Sequence, residues 1–267
     1  MIGAIRIFLV VAGMVALCLT LIPFQYVFLK LKNGWKRSLP KLFHRIAARL
    51  FGFRIRTVGE MHQGRPLLLV ANHTSWSDII VLSAVGQVSF IAKSDVRDWP
   101  VFGHMAILQR TVFVERERRG KTGEQTSEIA KRLIAGDAMV LFPEGTTSDG
   151  NRVLPFKTAL FGAAHAAIRE AGVAEVVVQP VAIAYTHVHG MTMGRYHRPI
   201  ASWPGDVELM PHLKGILREG AIDVEVRFGE PVVVTAATDR KALARAMEGK
   251  VRVLLQTSIL GRDIPEE

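Results

Sequence analysis

A chain of 267 residues carrying 34 Lys and Arg against 24 Asp and Glu has a formal net charge of +10. That surplus points to anionic partners (nucleic acid, a membrane surface or an acidic carrier protein), and the length suffices for one large domain with its own core. The single cysteine, Cys18, excludes an intrachain disulfide framework and speaks against a cysteine-rich metal site or a cysteine nucleophile.

From Ile7 to Leu29 no residue is charged, and the run is bounded by Arg6 and Lys30. Its length suits a helix that crosses a bilayer, for which about 20 residues are needed. Pro23 and Gln25 lie inside it, and a kink there would instead leave two shorter pieces in the interface. The apolar core is too long for a cleaved signal peptide, and no convincing small-residue cleavage site follows. Lys30, Lys32, Lys36, Arg37 and Lys41 crowd the far side, which places the body of the protein in the cytoplasm at the inner membrane. Lys41 to Gly52 then alternates basic and apolar residues at helical spacing, which fits a helix on an anionic membrane surface and equally one packed on the main domain. The expected organisation is residues 1–52 as membrane-anchoring and amphipathic helices, with 53–267 as one αβ domain.

From Phe53 onward, strand-like segments rich in β-branched residues alternate with helical patterns. FRIRTVG, PLLLVAN, VSFIAK, TVFVE, AMVLFPE, VVVQPVAIAY and IDVEVRFG read as strands. Ser77 to Val85, Thr122 to Ala135, Lys157 to Ala171 and Asp239 to Leu260 read as helices. The class is therefore α/β, a single domain around a largely buried sheet. Pro199 to Lys214, rich in Pro, Gly and charge, is expected to be a long loop.

Three polar clusters interrupt this pattern. After PLLLVA comes Asn72-His73-Thr74-Ser75-Trp76-Ser77-Asp78, with His73 on a strand-to-helix loop and Asp78 in or near the first helical turn. Ser75 or Ser77 is expected as the N-cap. A loop that doubles back brings the Asp78 carboxylate against the imidazole, fixing one tautomer and leaving the other nitrogen free as a base. Capping and turn roles alone would also account for a His and an Asp in one loop. After AMVLF comes Pro143-Glu144-Gly145-Thr146-Thr147-Ser148-Asp149-Gly150, leaving the same sheet edge, where α/β folds place ligands. Its amides and hydroxyls suit an anion, or simply a turn that bonds its own backbone. After VFV comes Glu115-Arg116-Glu117-Arg118-Arg119, of which Arg116 is best placed to face a site.

His73-x4-Asp78 within NHTSWSD, then VFVER, then FPEGTTSDG, then Val178-Gln179-Pro180-Val181-Ala182-Ile183, in that order and spacing, resembles the glycerolipid acyltransferase family. The resemblance implies transfer of an acyl group from a thioester, on coenzyme A or acyl carrier protein, to a lysolipid hydroxyl, with no cofactor. It implies His73 as general base with Asp78 orienting it. Arg116, Glu144, Gly145 and Thr146 would hold the acceptor head group, and Pro180 would lie on the acyl-donor side. The first expected acceptor is 1-acylglycerol-3-phosphate, giving phosphatidic acid. One departure bears on this: the family commonly has glycine six residues before the motif arginine, where this chain has Arg110. Phe90 to Pro100, together with Lys121 to Gln125, also looks like the bacterial lyso-ornithine lipid acyltransferases, which makes a lysolipid with an amino-acid head the alternative acceptor.

A thioester is already activated, so neither an enzyme nucleophile nor a metal is required. The developing oxyanion needs a donor, for which backbone N–H groups near the Asp78 helix are candidates. No G-x-S-x-G elbow for a serine hydrolase occurs in the chain. His187, His189 and His197 raise a metal site, but no carboxylate or thiolate cluster accompanies them in sequence. No helix-turn-helix, finger or aromatic-basic platform supports nucleic-acid binding. A basic membrane-surface protein without catalysis is a more distant alternative, with no reason to pair His73 with Asp78. Arg116, Arg118, Arg119 and Lys121 suit either a carrier-protein dock or a solvated charge run. Trp99 to Gly103 is apolar enough to meet lipid or line an acyl channel, or to join the core.

Overall fold

The computed structural model describes residues 2–114, 122–162, 173–205 and 207–261. The chain opens with two antiparallel helices, α1 (Ile2–Lys30) and α2 (Trp35–Phe51). Pro23 sits inside α1 without dividing it. α2 stops at Gly52, whose φ of 83° closes the helix in the left-handed region, with its N–H bonded back to the helix carbonyls. A side chain there would run into the Ala221 backbone and the Arg6 guanidinium.

Then follow β1 (Phe53–Val58), β2 (Leu67–Ala71), α3 (Asp78–Val85), β3 (Val88–Lys93), α4 (Phe102–Leu108), β4 (Val112–Val114), α5 (Thr122–Ile134) and β5 (Ala138–Leu141). The second half holds β6 (Val176–Val188), β7 (Met191–Thr192), α6 (Leu209–Glu219), β8 (Ile222–Phe228), β9 (Val232–Val234) and α7 (Arg240–Leu260). The main path through the sheet is β1-β8-β6-β2-β5-β3-β4, with β7 and β9 also paired to β6. β6, β2, β5, β3 and β4 run parallel, whereas β8 is antiparallel to β6 and β1 runs with β8. Every strand expected from β-branched content forms; the two-residue β7 and three-residue β9 are too short for periodicity to mark.

Alternation along the strands assigns the two faces. Leu67, Leu69, Ala71, Phe90 and Val140 join Phe43, Ala47, Phe51, Val81 and Leu82 on one side, with Val10 and Leu17 of α1 in the same core. Leu68, Val70, Met139 and Leu141 meet Leu133 of α5 and Leu243, Met247 and Val251 of α7 on the other. The first two helices therefore share a core with the sheet.

Two helical expectations change. Pro199 to Lys214 is not a long loop: it overlaps a short 3-10 turn at Arg198–Ile200 and the first half of α6. Ile216, Leu217 and His212 bury one face of α6, a pattern that the surrounding Pro and Gly obscure in sequence. The expected helix at Lys157 to Ala171 opens as a 3-10 turn, Thr158–Phe161, and its continuation lies outside the described residues.

Candidate active site

β2 and β5 are parallel neighbours in register, Val70 opposite Leu141, so the loops after them leave the same sheet edge. The ladder continues one residue past β2 through a side chain. Asn72 Oδ1 accepts from Ile183 N at 2.8 Å, and its Nδ2 donates to Ile183 O at 3.0 Å and Thr74 Oγ1 at 3.2 Å. This pins the end of the strand to β6 and releases the backbone to turn. His73 N donates to Glu144 Oε1 at 2.8 Å and His73 O accepts from Ser148 N at 2.8 Å, so the post-β5 loop grips its backbone on both sides.

The imidazole Nδ1 lies 2.8 Å from Asp78 Oδ2. The same oxygen accepts from the amides of Thr74 at 2.7 Å and Ser75 at 2.9 Å, while Oδ1 accepts from the Tyr185 hydroxyl at 2.8 Å. Asp78 is fully buried, and four donors converge on its two oxygens. Burial, and then the Asp78 charge, push the Tyr185 phenol well above its ordinary value, which keeps it a protonated donor. Against this carboxylate Nδ1 carries the proton, so Nε2 presents a lone pair. Nε2 has no bond to any described residue, and the side chain is 21% exposed, enough to meet a substrate while Asp78 stays sealed. The ring stacks on Phe142 at 4.1 Å between centroids, and Phe142 lies on Phe90.

The other expected residues fall into distinct places. Glu144 is buried, with Oε1 on His73 N and Oε2 accepting from Leu154 N at 2.9 Å. Both oxygens thus face backbone amides, and the residue stands behind His73 as a scaffold. Burial pushes its carboxyl up to about 8, against the opposing pull of those two amides. Gly145 makes the turn at φ 74°, Thr146 is exposed, and Thr147 Oγ1 donates to the Trp203 carbonyl. Pro180 is buried in β6, opposite Val70, where the antiparallel partner of β6 changes from β9 to β8. A residue without an N–H fits at that gap. Arg116, Arg118, Arg119 and Lys121 lie outside the described residues.

Two expectations are corrected and one is narrowed. Ser77 occupies the N-cap position of α3 but makes no capping bond; its hydroxyl pairs with Tyr185, and Asp78 binds the loop amides instead. The amides of residues 73, 74 and 75 are all engaged by carboxylates, which narrows the expected oxyanion donors to other amides near α3. Arg110 does not extend an acceptor site: it forms a bidentate pair with Asp137 at the opposite end of β5. Its φ of 65° accounts for the glycine common at this place.

Asn72, Tyr185, Arg198 and Trp203 went unread in sequence. Trp203 N donates to Thr74 O at 2.8 Å, and Arg198 donates to Asn151 Oδ1 at 2.6 Å and to Met193 O at 3.0 Å, laying the 198–204 segment over both site loops. Trp99 meets Trp203 edge-on at 6.1 Å, so that apolar loop adjoins the same segment. Only Asn72 had a local signal, a polar residue closing an apolar strand. Among the described residues no group of three His, Cys, Asp or Glu side chains is placed to hold a metal ion. His189 instead contacts Glu219, and His187 contacts Thr186.

A family model described as Acyltransferase matches residues 53–184, which contain β1 through β5, most of β6 and both site loops. Over 266 residues, all of both chains, the protein is 85% identical to a lyso-ornithine lipid O-acyltransferase of Brucella abortus. Over 262 residues, 98% of this chain and 90% of the relative, it is 52% identical to a lyso-ornithine lipid O-acyltransferase of Rhizobium meliloti. The crystal structure of the 1-acyl-sn-glycerophosphate acyltransferase PlsC from Thermotoga maritima superposes with a TM-score of 0.64, covering 95% of this chain and 96% of that one at 22% identity, which shows the shared fold. The strand-end imidazole, the carboxylate that holds it and these matches place the chain in the acyltransferase family.

Proposed function

We propose that the protein is a membrane-bound lyso-ornithine lipid O-acyltransferase. The observation that carries the chemistry is the His73 imidazole, held through Nδ1 by a sealed carboxylate with Nε2 turned outward. Nε2 takes the proton of the lysolipid hydroxyl as its oxygen attacks the thioester carbonyl of acyl-CoA or acyl carrier protein. The thiol leaves with that proton, and an ester remains. Asp78 stabilises the imidazolium between these transfers. Arg116 is the head-group residue in this reading, together with Gly145 and the exposed Thr146 of the turn after β5. The motifs first suggested 1-acylglycerol-3-phosphate as acceptor; relatives 85% and 52% identical across nearly the whole chain favour the ornithine head instead.

The attachment to lipid follows from α1. One of its stripes packs on the body, while Phe8, Leu9, Val15, Leu19 and Phe24 face outward. Its ends are clamped: Arg6 donates to the carbonyls of Phe51 and Leu217, and Gln25 donates to those of Lys36 and Leu108. A helix tied at both ends to the body cannot cross a bilayer without drawing the body in. It lies along the cytoplasmic surface of the inner membrane with its outer face in the acyl region.

The test is a purified-enzyme assay with a labelled acyl thioester and each lysolipid supplied separately. Ornithine lipid is the expected product. Phosphatidic acid alone would overturn the acceptor, and transfer undiminished in His73→Ala would overturn the mechanism.

A further inference from the structure

At the base of the sheet, opposite the chemistry, positive charge accumulates around one carboxylate. Asp137 precedes β5, and its side chain is 2% exposed. Oδ1 accepts from Arg37 Nε at 2.8 Å and Arg110 Nη1 at 3.0 Å; Oδ2 accepts from Arg110 Nη2 at 2.7 Å and Arg132 Nε at 2.5 Å. Arg65 stands at the same edge, two residues before Leu67, which pairs with Ala138. Its Nη1 donates to the carbonyls of His62, Gln63 and Gly64, and no acidic side chain among the described residues pairs with it. Lys36 lines the same cleft with Arg37, Ser89, Arg110 and Asp137. Burial lowers the pKa of Lys36, and the charges of Arg110 and Arg37 lower it further; burial and then Arg37 do the same to Arg65. Three guanidiniums thus bond a single described carboxylate, with Lys36 and Arg65 as further cations at the same edge, an imbalance that an anion would relieve.

We propose that this cleft binds the phosphate of an anionic membrane lipid, at a site separate from both substrates. Fork-shaped guanidiniums around a fixed carboxylate suit a tetrahedral oxyanion, and Arg37 Nη1 and Arg132 Nη1 carry no bond to a described residue. A lipid is favoured as the source of the phosphate because the cleft opens at the elbow between α1 and α2. There Leu31 and Trp35 are exposed, and Lys36 and Arg37 follow Trp35 directly into α2. An outward indole and leucine beside basic residues are the elements of an interfacial anchor. The length of β5, about 13 Å at the rise of an extended strand, separates this cleft from the loop that carries Glu144, so the phosphate is not one presented to His73.

The test uses the full-length protein and co-sedimentation with vesicles of phosphatidylcholine, with or without about a third phosphatidylglycerol. Its readout is lipid binding rather than acyl transfer, so a failed acceptor assignment leaves it intact. Arg37→Gln with Arg65→Gln is expected to weaken binding to the phosphatidylglycerol vesicles roughly thirtyfold, on the order of two juxtamembrane charges, and to leave binding to pure phosphatidylcholine unchanged. Lys241→Gln with Arg245→Gln, an equal charge change on exposed positions of α7, is expected to leave both unchanged. Equal weakening by the two pairs would overturn the proposal in favour of diffuse attraction. As a check independent of the variants, inorganic phosphate is expected to raise the wild-type melting temperature above that in chloride at matched ionic strength. Stabilisation by phosphate without any preference for phosphatidylglycerol would assign the cleft to a soluble anion and overturn the lipid.

Discussion

His73→Ala is expected to abolish acyl transfer while shifting the melting temperature little, because the ring is partly exposed and its removal strips no buried donor of a partner. Asp78→Asn differs. It places an amide N–H₂ where the carboxylate accepts from two backbone N–H groups, the imidazole and a phenol, so it costs both activity, by about 10⁴-fold, and stability. Thermal melts beside turnover assays separate the two variants. Glu144 supplies a pH dependence with a definite sign. Its folded pKa, about 8, lies above the ordinary value of 4.5, so the folded state binds this proton more tightly than the unfolded chain does. The stability it contributes is complete below about 4.5 and is lost as pH rises to about 8. The stability difference between wild type and Glu144→Gln is therefore expected to shrink across that window and to stay flat above it; a constant difference would refute the raised pKa. At Arg110 the left-handed φ predicts that Arg110→Gly is about 1 kcal/mol more stable than Arg110→Ala, since both lose the pair with Asp137 and only alanine keeps the strain.

At the scale of elements, the contact between α1 and α2 depends on Gly13, where a Cβ would stand 3.1 Å from a Leu50 methyl. Gly13→Leu is expected to push the helices apart and cost about 1–3 kcal/mol in chemical denaturation, as overpacking does elsewhere. The sequence made most of these elements readable. β2 is a run of five buried residues bounded by polar ones, and α2 alternates basic and apolar residues at helical spacing. α6 was hidden because Pro211 and Gly215 fall within it, and local propensity yields there to packing against α1 and the 198–200 turn.

For the whole molecule, the exposed face of α1 is the surface proposed to meet lipid. Phe8→Ser with Leu19→Ser removes apolar area that touches nothing in the body, so vesicle binding is expected to fall at least tenfold with no loss of melting temperature. Release accompanied by unfolding would instead make that face part of the folded core. The sequence by itself pointed to an acyltransferase through four motif blocks whose order and spacing resemble that family, and it placed His73 and Asp78 in one short loop. It also determined the apolar helix and the alternation of strands and helices, which local periodicity encodes. Only the tertiary structure decided that Tyr185 completes the cage around Asp78, that Glu144 stands behind His73, that Arg110 turns to Asp137, and that α1 is fastened at both ends. Those partners lie from 27 residues apart, for Arg110 and Asp137, to 211, for Arg6 and Leu217, and meet only because of the strand order and the packing of α1 on the body, which no local pattern records.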